Sequence, residues 1–168
     1  FTFDYVLEHL KNNRIWLAYG NTILYTVLGT AISLFFTITA AYVLSRKGLK
    51  VIKIFTILVA LTMWLKPGMI ATYINIKSLN LTNSILGILI PFAVSGYNII
   101  LLKTYFSSIP QDIDECAQID GASHFRVLFN IYVPSSIPGI TTIGLFYAID
   151  RWNGYFWAKQ MITESSER

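Results

Sequence analysis

Twenty-three consecutive residues without a charge, Thr22 to Leu44, set the first limit on what this chain can fold into. At a rise of about 1.5 Å per residue they form a helix long enough to cross a hydrocarbon core of roughly 30 Å. Gly29, Ala31, Ser33, Ala40 and Ala41 lie along it, and small residues let helix backbones approach closely in lipid. Of the 168 residues, 54% are hydrophobic and 13% charged, where soluble domains carry about a quarter. The chain therefore reads as an all-α, polytopic membrane protein in one domain.

Further apolar stretches follow. Ser45 to Lys53 holds four cations in nine residues with no acid, which predicts a short cytoplasmic loop. Ile54 to Leu65 is a run of 12 apolar or neutral residues between Lys53 and Lys66. Two snorkelling lysines make it a thin span, and Pro67-Gly68 breaks the helix beyond it; the competing reading is an interfacial or re-entrant segment. Ser78 to Leu102 is uncharged for 25 residues, with Pro91 and Ser95-Gly96-Tyr97-Asn98 interrupting its apolar core. Such breaks are tolerated where a helix faces protein or a watery path. Ile137 to Trp152 closes the series, with Asp150-Arg151 expected as a membrane-end ion pair or snorkelling site and Trp152 as an interfacial anchor. The expected spans are about 22–44, 53–74, 85–106 and 136–152. The mixed stretch Phe1 to Gly20 is expected to form a short amphipathic helix at an interface. Position 1 is Phe, with no charged n-region and cleavage site, so the chain reads as a piece without its native start.

Several chemistries are excluded. One cysteine, Cys116, allows no intrachain disulfide, and His9 and His124 lack ligand spacing. The net charge of +4 comes without a basic stripe interleaved with aromatics, so no nucleic-acid partner is expected. No Gly-x-x-x-x-Gly-Lys-Ser/Thr run is present, so the chain has no nucleotide-binding loop of that kind. An intramembrane enzyme would need paired acids, a His-rich set or a nucleophile with its base at depth, and none is found.

The stretch between the third and fourth spans, 108–134, is punctuated as a helix-turn-helix. Ser108 is the expected cap, Pro110 suits the first turn, and Asp112 and Asp114 favour the positive end of the dipole. Gly121 suits the left-handed residue that ends a helix. Ile109, Ile113, Cys116 and Ala117 form a narrow apolar face, with the acids opposite. Ser123 offers a second cap, followed by a stripe of Phe125, Leu128, Phe129 and Tyr132. With the basic loop in the cytoplasm, two crossings put this element there too. A short helix with one greasy and one acidic face suits docking into a partner's groove.

Glu115-Cys116-Ala117, then Asp120-Gly121-Ala122 and later Pro134 and Pro138, resembles the coupling motif of ABC-importer permeases, Glu-Ala-Ala followed by Gly and a downstream Leu-Pro. Asn21-Thr22-Ile23, the run Ala40 to Arg46, Ile119 to Ser123 and Trp152-Asn153 add to it. Together they are similar to the carbohydrate branch, of the maltose-type second permease and lipoprotein-transport-C-like oligosaccharide permeases, from about Asn21 to Trp157. The resemblance implies a permease subunit that shares a saccharide pathway with a second permease. It implies partners: a separate cytoplasmic ATPase dimer, an extracytoplasmic sugar-binding protein and membrane lipid in the bacterial inner membrane. It places Glu115, Cys116, Ala117, Asp120, Gly121 and Ala122 in the ATPase-coupling element, with no cofactor and no catalytic residue. Cys116 stands for the usual alanine and is expected to be a buried, inert packing thiol; Val133 stands for the usual leucine. Lys66-Pro67 departs from the family's uncharged pattern, and the family's first and last helices are absent from this stretch. Aromatic faces and matched polar groups bind sugars, which makes Tyr97, Asn98, Trp64 and Tyr73 candidates for the substrate path. A permease of another branch, for amino acids or peptides, is the alternative, against which the Asn-Thr, Ile-Asp-Gly-Ala-Ser and Trp-Asn runs weigh.

Overall fold

The structure, a computed structural model, describes residues 13–46, 50–65, 67–82, 84–154, 157 and 159, with only the backbone of Asn13, Arg14 and Gln111. Helix α1, Asn13–Ser45, is 33 residues long. The helix runs through Gly20 and Asn21 without a break. The expected amphipathic helix at 1–20 is corrected to that extent: residues 13–20 belong to α1, because no proline or cap interrupts them. Residues 1–12 lie outside the described residues. So do Lys47 of the basic cluster and Lys66.

The second apolar stretch forms α2, Lys50–Trp64, and α3, Met69–Ser78. They bend by 117° across Pro67-Gly68, because proline has no amide with which to continue a helix. Ile15–Ser45 is the one helix among the described residues long and apolar enough to cross a membrane alone; α2 and α3 pass the same measure as a bent pair. The third stretch is also broken, into α4, Ile85–Leu89, and α5, Gly96–Ser107. Ser84 caps α4 by accepting from the Leu86 amide, and Pro91 cannot continue it.

A compact helical hairpin follows. It comprises α6, Gln111–Ile119, and α7, His124–Val127, with a π-helical turn π1, Leu128–Tyr132. The single turn α8, Val133–Ser135, leads into α9, Ile137–Trp152. No strand occurs among the described residues.

The core lies where α1, α5 and α9 meet the hairpin, around Ala41, Tyr42, Leu102, Phe106, Leu128 and Ile143. A smaller cluster centres on Ile76 and Ile88, with Tyr73 and Trp157 against it. Phe35, Val43, Ile54, Phe55 and Leu145 instead point outward. Ser33, Thr37 and Asn98 are buried. This inversion suits an apolar solvent, in which small and polar side chains between helices supply the association. Exterior hydroxyls bond back one turn, as Thr39 does to the Phe35 carbonyl at 2.8 Å and Thr141 to Ile137 at 2.7 Å, so that neither is left unpaired toward lipid.

Glycine is required where α4 crosses the preceding turn. A Cβ on Gly87 would lie 2.1 Å from the backbone oxygen of Leu81, and backbone cannot yield as a flexible side chain does. Gly87→Ala is therefore expected to destabilise the fold by about 1–3 kcal/mol, the usual cost of overpacking. A lower midpoint of thermal unfolding in detergent is the measurement that checks it.

Candidate coupling site

Helix α6 starts at Gln111 with Pro110 at its N-cap and no side-chain cap. Ser108 is not the cap expected from the sequence. Its hydroxyl donates backward to the Tyr105 carbonyl at 2.7 Å, finishing α5 instead. The other end follows expectation. Gly121 adopts φ +77°, and the amides of Gly121 and Ala122 donate to the carbonyls of Gln118 and Ala117 at 3.0 and 2.9 Å. That pair of bonds, with a left-handed glycine, closes the helix and turns the chain back. Ser123 then caps α7, accepting from the Arg126 amide at 3.4 Å.

What anchors α6 is an ion pair. Arg46, one residue past the end of α1, donates through Nη1 to Asp114 Oδ2 at 2.5 Å. Its Nη2 reaches the Tyr42 hydroxyl and lies 3.3 Å from His124 Nδ1. Asp114 is 6% exposed, so one guanidinium joins α1, α6 and α7 at a site largely out of water. The Tyr42 ring packs edge-on against Tyr132 at 5.0 Å, and Tyr132 against Phe106 at 5.4 Å. Burial, with the Asp114 carboxylate adding to it and Arg46 opposing, pushes the Tyr132 phenol above its usual range. The group therefore stays neutral, as a packing ring should.

The faces of α6 differ from the periodicity reading. The apolar set Ile109, Ile113, Cys116 and Ala117 does not turn inward together. Ile109 and Ala117 pack on the core, with Ala122, while Ile113 and Cys116 are exposed. Asp114 takes the inward place, where Arg46 at the end of α1 meets its charge. Cys116 is thus corrected from a buried packing thiol to an exposed one. In the second stripe, Leu128 and Tyr132 are buried but Phe125 and Phe129 are exposed; the wider π-helical turn at Leu128–Tyr132 shifts the side chains around the axis.

The outer surface therefore carries Glu115, Cys116 and Asp120 beside Ile119, 85% exposed, and Phe125, 71% exposed. Acids on a rigid helix next to unpaired apolar side chains make a surface for a complementary groove with cations at its rim. Of the expected coupling residues, Glu115, Cys116, Asp120 and Gly121 lie on this outer side. Ala117 and Ala122 form its inner support. Sequence alone does not single out Arg46 and Asp114 as a pair. They are 68 positions apart, and the one available sign is that each stands inside a motif already noted.

The candidate path residues are spread out. Asn98 is buried and its neighbour Tyr97 exposed, both at the start of α5; Trp64, 88% exposed, ends α2. Tyr73 belongs with Ile76 and Ile88. The expected Asp150–Arg151 pair is not formed. Arg151 turns inward and donates to the carbonyls of Ile88 and Leu89 at 2.8 and 2.9 Å, because adjacent helical positions point about 100° apart and cannot face each other. Among the described residues, Arg46–Asp114 is the sole ion pair, and no group of three His, Cys, Asp or Glu is placed to hold a metal.

Known proteins resemble this chain in fold and sequence. A solved bacterial ABC transporter involved in the import of the acidic polysaccharide alginate matches with a TM-score of 0.87 and 42% identity, over 91% of this chain and 55% of that one. The protein LplC of Bacillus subtilis is 39% identical over 148 residues, 88% of this chain and 50% of LplC. The polygalacturonan/rhamnogalacturonan transport system permease protein YtcP of the same organism is 40% identical over 142 residues, 84% of this chain and 50% of YtcP. The chain thus spans about half the length of these relatives. Residues 15–166 match the family described as the binding-protein-dependent transport system inner membrane component, and the chain belongs to that family.

Proposed function

We propose that this chain is the coupled half of a saccharide-import permease, which crosses the inner membrane about four times through 22–44, 53–74, 85–106 and 136–152. A second permease completes the pathway, a binding protein outside delivers the cargo, and a separate ATPase dimer engages Glu115, Asp120 and the exposed apolar residues of α6. The observation that carries this reading is the anchored helix itself. Arg46 and Asp114 tie α6 to the end of the longest span, so a force on its outer face reaches the membrane helices without being absorbed by a loose loop. ATP hydrolysis then belongs to the partner, and this chain converts the partner's closure into a helix displacement. A saccharide cargo follows from the relatives, and acidic oligosaccharides such as oligogalacturonates are the first to assay, given the polymers that YtcP and the alginate importer handle. Tyr97, Asn98, Trp64 and Tyr73 are kept as candidates for contact with that cargo.

The experiment is uptake by the full-length transporter with substitutions on α6. Glu115→Ala is expected to abolish uptake while the permease remains in the membrane at its normal amount. Unchanged uptake would remove the outer face from the coupling role. A Cβ added at Gly121 would meet no neighbouring atom within 4 Å, so only backbone conformation resists a side chain there, at about 1–2 kcal/mol. Gly121→Val should therefore lose most uptake and Gly121→Asn, which tolerates the left-handed region, should keep more of it; equal activity in the two would contradict this.

The anchor makes its own prediction. Removing one member of a buried pair costs roughly 3–5 kcal/mol, and the lower end applies because Arg46 keeps some contact with solvent. Asp114→Asn should loosen α6, seen as faster proteolysis between 108 and 123 together with reduced uptake. The exchange Arg46→Asp with Asp114→Arg should recover part of both, and no recovery would mean that the pair does not act as a unit.

A further inference from the structure

The break in the third apolar stretch is held at both edges by one helix. In an unbroken helix the carbonyls of Ile88 and Leu89 would accept from the amides four residues on, those of Phe92 and Ala93. Here the Ala93 amide donates to Ile90 instead, at 3.0 Å, and Pro91 brings no amide at all. Arg151 of α9 supplies the missing donors, Nη1 to Ile88 at 2.8 Å and Nη2 to Leu89 at 2.9 Å. Its Nη2 also lies 3.4 Å from Ser33 Oγ on α1. One turn earlier on α9, the Tyr147 hydroxyl accepts from the Ser95 amide at 3.1 Å, at the start of α5, and bonds Thr37 of α1 at 2.7 Å.

The result is two rungs, one helical turn apart. Tyr147 and Arg151 are four residues apart on α9, as Thr37 and Ser33 are on α1, and the two edges of the break are caught between them. Tyr147 is 2% exposed, and Ser33 and Thr37 are fully buried. Room for the arginine is made by Gly29, where a Cβ would lie 3.0 Å from Arg151 Nε. Arg151 stands 14 residues into α9, about 21 Å along its axis. That is its last turn, and a cation turned inward between helices is retained where it satisfies backbone carbonyls. The near end of α9 is joined to the coupling hairpin through π1 and α8, with only Ser136 between helices.

We propose that Tyr147 and Arg151 are the positioning residues through which α9 passes displacement of the coupling hairpin to the break at Ile90–Ser95. Motion of the hairpin is carried by α9 together with α1, to which both rungs also bond, and the rungs oblige the edges of the break in α4 and α5 to follow. The hinge and the coupling helix are thereby one mechanical unit. This rests on the reading of the chain as a coupled permease.

The test uses the full-length complex in proteoliposomes with its ATPase. Val94→Cys places a probe on the exposed side of the break, and peptide mass spectrometry reads its labelling apart from that of Cys116, which is left in place. The rate of N-ethylmaleimide labelling at position 94 is measured without nucleotide and with ATP plus vanadate. In this background nucleotide should change the rate. With Tyr147→Phe, which keeps the ring in the core, or Arg151→Gln, the nucleotide response should be lost while ATP hydrolysis continues; Arg151→Lys, which keeps a donor, should restore part of it. A response equal to that of the background in both variants would overturn the proposal, as would a break insensitive to nucleotide from the start. A response that shrinks only in step with ATP hydrolysis would reduce the rungs to general stability and equally overturn it. Failure of the coupled-permease reading looks different, because hydrolysis would then be independent of Glu115.

Discussion

One guanidinium decides whether the coupling hairpin is part of the membrane structure or a tether beside it. Arg46 lies at the end of α1, and its bond to Asp114 joins the longest apolar helix to a nine-residue helix that is otherwise held by small contacts. Charge-assisted bonds of this type are short, directional and stronger than neutral ones. Their worth here is chiefly geometric. A buried pair adds little net stability over a well-packed apolar pair, but it is intolerant of a lost partner and of a changed angle. Tyr42 and Tyr132 extend the same fixity into the core by packing edge to face.

Deeper in the spans, the same logic is carried by polar groups rather than by apolar packing. Lipid is as apolar as leucine, so burial of leucine between helices gains little, and close approach and hydrogen bonds must do the holding. That is why Ser33, Thr37 and Tyr147 are inside while Phe35, Val43 and Leu145 are outside. The arrangement also explains how a helix can be interrupted at depth. Carbonyls released at Ile88 and Leu89 are taken up by Arg151, so the break depends on a side chain of a neighbouring helix.

The exposed outer face of α6 is informative for the same reason. Ile119 and Phe125 remain uncovered although the core lies on the other side of the same short hairpin, because Asp114 and Ala117 occupy the inward positions. Apolar residues are thus left outward beside Glu115 and Asp120. The fold therefore divides α6 into an inner side that binds the spans and an outer side that carries acids beside apolar side chains.

Much of this was legible in the linear chain. The uncharged run at Thr22–Leu44, the helix stop at Pro67-Gly68, the interruption near Pro91, the left-handed Gly121 and the Ser123 cap all follow from local chemistry: residue spacing, backbone freedom and the missing amide of proline. The family was legible through the resemblance of the run Glu115 to Ala122. Only the tertiary structure decided which side of α6 faces in, where Cys116 lies, and what Arg151 does. Each of those depends on a partner far away in the chain, Arg46 for Asp114 and the carbonyls of Ile88 and Leu89 for Arg151. Helical periodicity ranks side chains by polarity alone, and a carboxylate whose charge is met by a distant guanidinium can take a buried place that polarity would assign to isoleucine.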